Sequence, residues 1–290
     1  MYFILTYLSK FFQILPRKFA LFTGRTLGLF IYYIYPRRKS IAMKNLEIAF
    51  PERDIKEKIS ILRSCYQHYG MVLVDFFRLP KVKQEKDKII VNIPSESIAL
   101  FKKYSGGIIL SGHLGNWEYI GPMLGIYNIQ CAGVSQIQRN SQSDKFFNEL
   151  RESENVQIIP VDGGSKVMIQ LIKNGYYLGL ISDQNAGRRG TNSIFFNKPT
   201  STPKGAAAFH LKTNTPILFG FCILCEDLHY KLSFHELDLQ GIPENSDDAI
   251  VEINQRFTKV LEETVREHPE QYFWFHRKWN REMYKGISRY

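Results

Sequence analysis

The sequence predicts an α/β fold, with a mixed, largely parallel sheet flanked by helices and an N-terminal helical membrane anchor in front of it. Three observations predict this. From residue 89 onward, short β-rich runs alternate with helical runs, the spacing of a sheet with much parallel pairing. The 290 residues are 44% hydrophobic, 14% aromatic and 23% charged, the make-up of an ordinary folded chain. The net charge of +10 is concentrated at the front: residues 1–46 hold eight Lys and Arg and no acid, leaving 30 basic against 28 acidic side chains behind them.

At that front, 11 of the first 15 residues are apolar, as are 12 of the 17 between positions 19 and 35. Basic residues beside aromatic-rich apolar stretches suit an anionic membrane surface. Nucleic-acid enzymes spread basic charge over a working face, so no nucleic-acid partner is expected. Arg25 interrupts the better run and Pro16 separates the two. A spanning helix needs about 20 mostly apolar residues, so spanning and interfacial anchors both stay open, as does a helical hairpin packed on the protein's own core. Lys10 is the first positive charge and no small-residue cleavage site follows, which argues against a secretory signal. The cluster Arg37, Arg38 and Lys39 would hold the following domain on the cytoplasmic side. Residues 1–50 are therefore read as anchoring helices, and 51–290 as one domain with a helical front (51–80) and an α/β core (89–290).

Asp54 with Glu57 forms a capping-box pattern, and Ile55, Ile59, Leu62, Tyr66, Tyr69, Leu73 and Phe76 recur at helical spacing until Pro80 ends the run. Residues 81–88 read as a charged linker. Strands are expected at 89–93, 107–110, 131–135, 156–160, 177–181 and 217–224, with a further antiparallel strand at 230–234. Helices are expected at 95–103, 117–127, 144–152, 166–173, 204–212 and 247–268. The four cysteines are too few for a disulfide scaffold, and Cys222 and Cys225 have no partner pair to complete a zinc site. They read as reduced core thiols.

An α/β sheet presents reactive groups just beyond the carboxyl ends of its strands. Residues 106–118 fit that position: a buried strand, two turn glycines (Gly112 and Gly115), then His113 in the turn and Glu118 in the next helical turn. A carboxylate there can fix one imidazole nitrogen and leave the other as a base. Asn116 and nearby N–H groups are candidate donors to an oxyanion. Chance alone yields about 0.7 such His/acid pairs in a chain with 7 His and 28 acids, so the context carries the signal and a plain surface-turn histidine stays open. A second strand end supplies Asp183 and Gln184, followed by Arg188 and Arg189, which either hold a phosphate or form a solvated turn. A third polar stretch, with Gln136, Arg139 and Asn140, reads as a loop and helix cap. His68 and His210 read as core or boundary residues, and the aromatics around His276 as core or membrane-interface anchors. Neither G-x-S-x-G, a P-loop nor G-x-G-x-x-G occurs, and no metal-ligand set is present, so no metal and no cofactor are expected. His113 would deprotonate a substrate hydroxyl directly.

Together these segments resemble the late-acting lipid A acyltransferases of Gram-negative bacteria, the lauroyl/myristoyl transferase group within the lysophospholipid acyltransferase superfamily. The resemblance covers nearly the whole chain. It runs from Asn45 to Pro51, through His113 and Glu118, Asp183 and Gln184, and Thr202 to Gly205, to Pro269 through Arg277. It implies a glycerolipid acyltransferase-like core and transfer of a fatty acyl group from acyl carrier protein, or coenzyme A, to a hydroxyl of a glucosamine-based lipid. The place implied is the cytoplasmic face of the bacterial inner membrane. Carried over by position, His113 would be the base and Glu118 its orienting carboxylate. Asn140, Asp144 and Arg151 match the family's residues after the third strand, and Asp183 its strand-end acid. The family's basic residue eight positions before Asp144 is here Gln136, with Arg139 nearby. The same superfamily acylates mannosylated phosphoinositides and other membrane lipids, so a phospholipid or glycolipid acceptor is an alternative. A non-catalytic lipid-binding scaffold is the remaining one.

Overall fold

A computed structural model gives the structure of the protein and describes residues 1–35, 38–152, 154 and 156–287. Arg37 of the basic cluster lies outside the described residues.

The chain begins with three helices, α1 (Tyr2–Ile14), α2 (Arg17–Ile34) and α3 (Lys39–Ala49), ahead of α4 (Ile55–Phe77). The capping box of α4 forms as expected, Asp54 accepting from the Glu57 N–H at 2.8 Å while Glu57 accepts from the Asp54 N–H at 3.0 Å. The front is bolted to the rest through α2. Gly24 and Gly28, four residues apart, meet Gly70 and the Tyr66 carbonyl of α4 so closely that a Cβ at any of the three glycines would lie 2.0–2.5 Å from backbone oxygen. Arg17 is spent inside this contact: its guanidinium grips the fully buried Asp75 at 2.9 and 3.1 Å and donates to the Leu228 carbonyl. Removing one member of such a buried pair strands the other charge and costs about 3–5 kcal/mol. None of the helices described is long and apolar enough to cross a membrane.

The expected linker is instead helical. Leu79–Lys81 form a 3₁₀ turn and Val82–Ile89 a helix, α5, because Leu79, Val82 and Ile89 are buried while the lysines between them face solvent. The core then alternates as predicted: β1 (Ile90–Asn92), α6 (Ser95–Lys103), β2 (Gly107–Ser111), α7 (Ile120–Ile126), β3 (Cys131–Ser135), α8 (Ser141–Arg151), β4 (Val156–Pro160), α9 (Ser165–Lys173) and β5 (Tyr177–Ile181). An antiparallel hairpin, β6 (Thr191–Phe195) and β7 (Lys198–Thr202), follows. It was not expected, its polar Thr and Ser resembling loop residues. The chain closes with α10 (Gly205–Thr213), β8 (Ile217–Leu224), β9 (Tyr230–Glu236) and α11 (Ser246–Glu267).

Seven strands form one sheet in the order β1-β9-β8-β2-β5-β3-β4, parallel throughout except for the β8–β9 pair. Both faces are covered, which is why β2 reads as a continuous apolar run. Ile108, Leu110 and Leu178 pack toward α9, α10 and α11, while Ile109, Tyr177 and Leu218 pack toward α6, α7, α8 and the end of α4. The C-terminal aromatics belong to the first of these cores, with Trp274 and Trp279 fully buried. Cys65, Cys131 and Cys222 are buried free thiols; Cys225, also free, is exposed at the end of β8 rather than in the core.

Candidate active site

The chain leaves β2 for β3, which lies two places away, and later returns to place β5 between them. Such a reversal opens a crevice at the carboxyl ends of the strands. Ser111 and Ile181 are the last registered pair of β2 and β5, so the residues two further on, His113 and Asp183, come out side by side. Nδ1 of His113 lies 2.7 Å from Oδ1 of Asp183. With Asp183 ionised, Nδ1–H is the donor and Nε2 keeps its lone pair, facing the Gln184 amide nitrogen at 3.3 Å.

This pairing corrects the sequence expectation for Glu118. The turn after His113 is a 3₁₀ turn (Trp117–Tyr119), and it carries Glu118 away from the imidazole toward the end of α8. There Glu118 takes both of its bonds from Arg151, at 2.7 and 2.8 Å. Glu118 and Arg151 are thus brought to the site as a bidentate pair in its wall.

Asn116 is corrected as well. Its side chain is fully buried and points away from the crevice, donating to the Tyr230 hydroxyl at 3.3 Å, which in turn donates to Asp75. The main-chain N–H groups of Gly115 and Asn116 are taken by the carbonyls of Gln271 and Cys222. They hold the turn against β8 and the C-terminal segment. Gly115 is required there: its φ is +62° and a Cβ would lie 2.0 Å from the Cys222 carbonyl. Tyr69 of α4 reaches the carbonyls of His113 and Gln271 from below at 2.9 and 2.7 Å.

Arg139, Arg188 and Arg189 are exposed and do not line the crevice. Asn140 caps α8 by accepting from the Ser143 N–H at 3.0 Å, as its local sequence suggested. Asp144 accepts from the Gln138 N–H at 2.7 Å, which shapes the loop whose Gln136 and Gln138 border the opening.

His113, 21% exposed, opens onto a cavity of about 680 Å³, a size typical of ligand sites. Its floor under α7 is a row running straight across four strands: Ile109, Gly179, Gly133 and Ile158. Nothing in the backbone requires these two glycines. Neither has a positive φ, and a Cβ would meet only ordinary contacts, at 3.4 Å from Ile158 for Gly133 and 3.6 Å from the Ala132 carbonyl for Gly179. What their missing side chains leave is open space over the sheet, the usual sign of close approach by a ligand. Ile120, Pro122 and Leu124 roof this part of the cavity.

The C-terminal segment contributes what sequence reasoning missed. Phe273 and His276 lie with ring centroids 6.0 Å from His113, and Trp117 packs edge-on against it at 4.7 Å. Lys278 is buried and donates to the main-chain carbonyl of Asp183. The signal available was the run of basic residues between aromatics, but no local pattern tells a buried lysine from a solvated one.

Burial alone would depress the His113 pKa; the charge and hydrogen bond of Asp183 overcome it, with help from Glu118, and the result is raised. For Asp183 burial pushes upward, and the His113 charge and hydrogen bond, then Lys278, pull the carboxyl down to about 2. The arrangement is a base with an ionised partner, open on its free nitrogen to an apolar cavity. It can take a proton from a hydroxyl held beside a hydrocarbon chain.

Comparison with known proteins agrees. Residues 1–281 match the family described as bacterial lipid A biosynthesis acyltransferase. The chain is 22% identical over 273 residues to the lipid A biosynthesis palmitoleoyltransferase of Escherichia coli K12, covering 91% of this chain and 86% of that protein. It is 25% identical over 175 residues to the phosphatidylinositol mannoside acyltransferase of Mycobacterium tuberculosis, covering 56% of this chain and 54% of the relative. The chain therefore belongs to the bacterial lipid A biosynthesis acyltransferase family, and it is an enzyme that transfers an acyl group to a lipid.

Proposed function

We propose that this enzyme moves a fatty acyl chain from a thioester donor, acyl carrier protein or acyl-coenzyme A, to a hydroxyl of a glucosamine-based lipid A precursor, with His113 as the general base. The observation that carries the reading is the His113–Asp183 pair opening onto an apolar cavity over Gly133 and Gly179. Nε2 of His113 takes the acceptor's hydroxyl proton as its oxygen attacks the thioester carbonyl. Asp183 keeps the ring in the right tautomer and stabilises the imidazolium. The tetrahedral oxyanion forms near the Gln184 amide, while the Arg151–Glu118 pair, neutral as a whole, shapes the wall of the cavity. Collapse breaks the C–S bond, and the imidazolium returns its proton to the leaving thiolate. The donor's hydrocarbon chain lies along the glycine row.

The work is done at a membrane surface, on the cytoplasmic face of the bacterial inner membrane. Support comes from α1 and α2, which leave large apolar side chains bare: Phe3 is 75% and Ile14 82% exposed, with Tyr7, Phe11, Phe22 and Phe30 also exposed. Lys10, Lys18 and Arg25 lie among them. Such a surface suits a helix pair lying in the interface of an anionic bilayer. The match to a phosphatidylinositol mannoside acyltransferase favours one second reading, a mannosylated phospholipid acceptor.

The test is mass spectrometry of one incubation. Purified protein in detergent meets mixed acyl carrier and coenzyme A thioesters, with a tetra-acylated lipid A precursor and a mannosylated phospholipid as competing acceptors, and His113→Ala runs alongside. A gain of one acyl group is expected, reduced by about 10²–10⁴-fold in the variant. Wild-type turnover by His113→Ala would remove the base, and acylation only of a mannosylated phospholipid would select the second acceptor.

A further inference from the structure

We propose that Lys278 is a positioning residue of the catalytic pair: its buried ammonium fixes the end of β5 at Asp183 and supplies the positive charge that keeps the site neutral while the imidazole is free. The proposal rests on the reading of His113 as the base and deepens it.

Lys278 is 3% exposed. Its ammonium donates to the main-chain carbonyl of Asp183 and sits 4.6 Å above the ring of the fully buried Phe195. Its own main-chain carbonyl accepts from the Thr200 hydroxyl at 2.6 Å and the Asn185 amide at 3.0 Å, so the residue is held at both ends. Among the described residues no carboxylate oxygen lies within 4.0 Å of Nζ. A buried ammonium without a direct ion pair is costly, and an apolar residue of similar size would be the cheaper filler. Packing alone therefore does not account for a lysine here.

Charge does account for it. His113 is faced by Asp183 and Gln184 from the end of β5, by Glu118 from the turn after β2, and by Arg151 from α8. His276 and Lys278 face it from the C-terminal segment, and the hydroxyls of Tyr69 and Tyr272 lie against its surroundings. Glu118 and Arg151 cancel. What is left is Asp183, negative, and Lys278, positive, so the group is neutral with a free imidazole. When the imidazole takes a proton the group carries one positive charge, at the moment the tetrahedral intermediate carries one negative charge. Without Lys278 the same step would begin from a net negative site, which favours the imidazolium too early and leaves less free base at neutral pH. In keeping with this, Lys278 lowers the His113 pKa that Asp183 and Glu118 raise, and it helps hold Asp183 ionised. Burial brings its own pKa down to about 8, against the pull of Asp183; this still lies above neutrality, so the ammonium stays mostly charged near pH 7.

The experiment titrates His113 without substrate. Full-length wild type, Lys278→Met and Lys278→Arg are carbethoxylated with diethylpyrocarbonate from pH 5 to 9, and modification at His113 is followed by peptide mass spectrometry. Near-UV circular dichroism checks the fold, and Lys278→Gln replaces the methionine variant if that one is unfolded. Loss of the cation should raise the His113 pKa by about one unit or more, while Lys278→Arg stays near wild type. The acid limb of kcat/KM should move upward with it. A His113 pKa unchanged in the neutral variant would overturn the proposal, any loss of rate then being a packing effect. Absence of acyl transfer in wild type would instead count against the assigned reaction, since the titration needs no acyl donor.

Discussion

Two sets of glycines show how one residue serves opposite ends in this molecule. Where α2 crosses α4, Gly24, Gly28 and Gly70 bring backbones together so closely that a Cβ would overlap carbonyl oxygen at 2.0–2.5 Å. In the sheet, Gly133 and Gly179 have room for a Cβ, at 3.4 and 3.6 Å from their nearest neighbours, and instead leave the cavity floor clear. The first set makes the apolar front part of the fold; the second makes space for a ligand. Glycine content alone does not separate them, but the backbone neighbours do.

The larger effect of substitution is expected at the crossing. Gly70→Val should cost about 3 kcal/mol or more, because the backbones must separate along both α2 and α4. Chemical denaturation measures it, and a loss under about 0.5 kcal/mol would mean the front is not held by this contact. In the floor the same kind of change should spare the fold. Gly179→Ala is expected to keep or gain about 0.5–1 kcal/mol of stability. It should lower kcat/KM for the longest accepted acyl donor roughly tenfold relative to shorter ones, read from competition among thioesters. An unchanged chain-length profile would place the chain elsewhere in the cavity. The smallest effect on stability is expected on the bare face of the front. Replacing Phe3, Tyr7 and Ile14 with Ser should change unfolding by no more than about 0.5 kcal/mol, while lowering co-sedimentation with anionic vesicles. Undiminished vesicle binding would refute the interfacial anchor.

Much of the framework was legible because local patterns and tertiary packing agree. The strands expected at 131–135, 156–160, 177–181 and 217–224 coincide with β3, β4, β5 and β8, since each is a short β-rich run set between helical segments. The helix from Ile55 announces its own cap. The β6–β7 hairpin gives no such signal because most of its buried positions are polar, Thr191, Ser193, Thr200, Ser201 and Thr202, with Phe195 the one apolar residue among them, and they find their burial only in the tertiary fold beside α11 and the C-terminal segment. α5 was hidden for a related reason, a lysine-rich stretch with only a few apolar positions to mark its face.

The site divides along the same line. His113 stood out because strand, glycines and turn are contiguous in sequence. Sequence proximity points to Glu118, five residues away, as its partner, whereas Asp183 is seventy residues away and becomes a neighbour only through the β2–β5 register. Asn116 and Glu118 lie beside His113 in the chain, yet one turns into the core and the other onto Arg151. Lys278 and the glycine row owe their roles to strand order and burial, which composition does not encode.

In the proposed mechanism His113 works through Asp183 while Glu118 shapes the wall through Arg151. Its most direct test is the pH dependence of kcat/KM for Asp183→Asn beside Glu118→Gln, with the fold of each confirmed. Asp183 raises the His113 pKa, so its loss should move the acid limb to lower pH and cut kcat by about 10²-fold or more. Glu118→Gln should leave most of the acid limb in place and keep more of the rate. The reverse result, a base that fails without Glu118 and works without Asp183, would contradict the account.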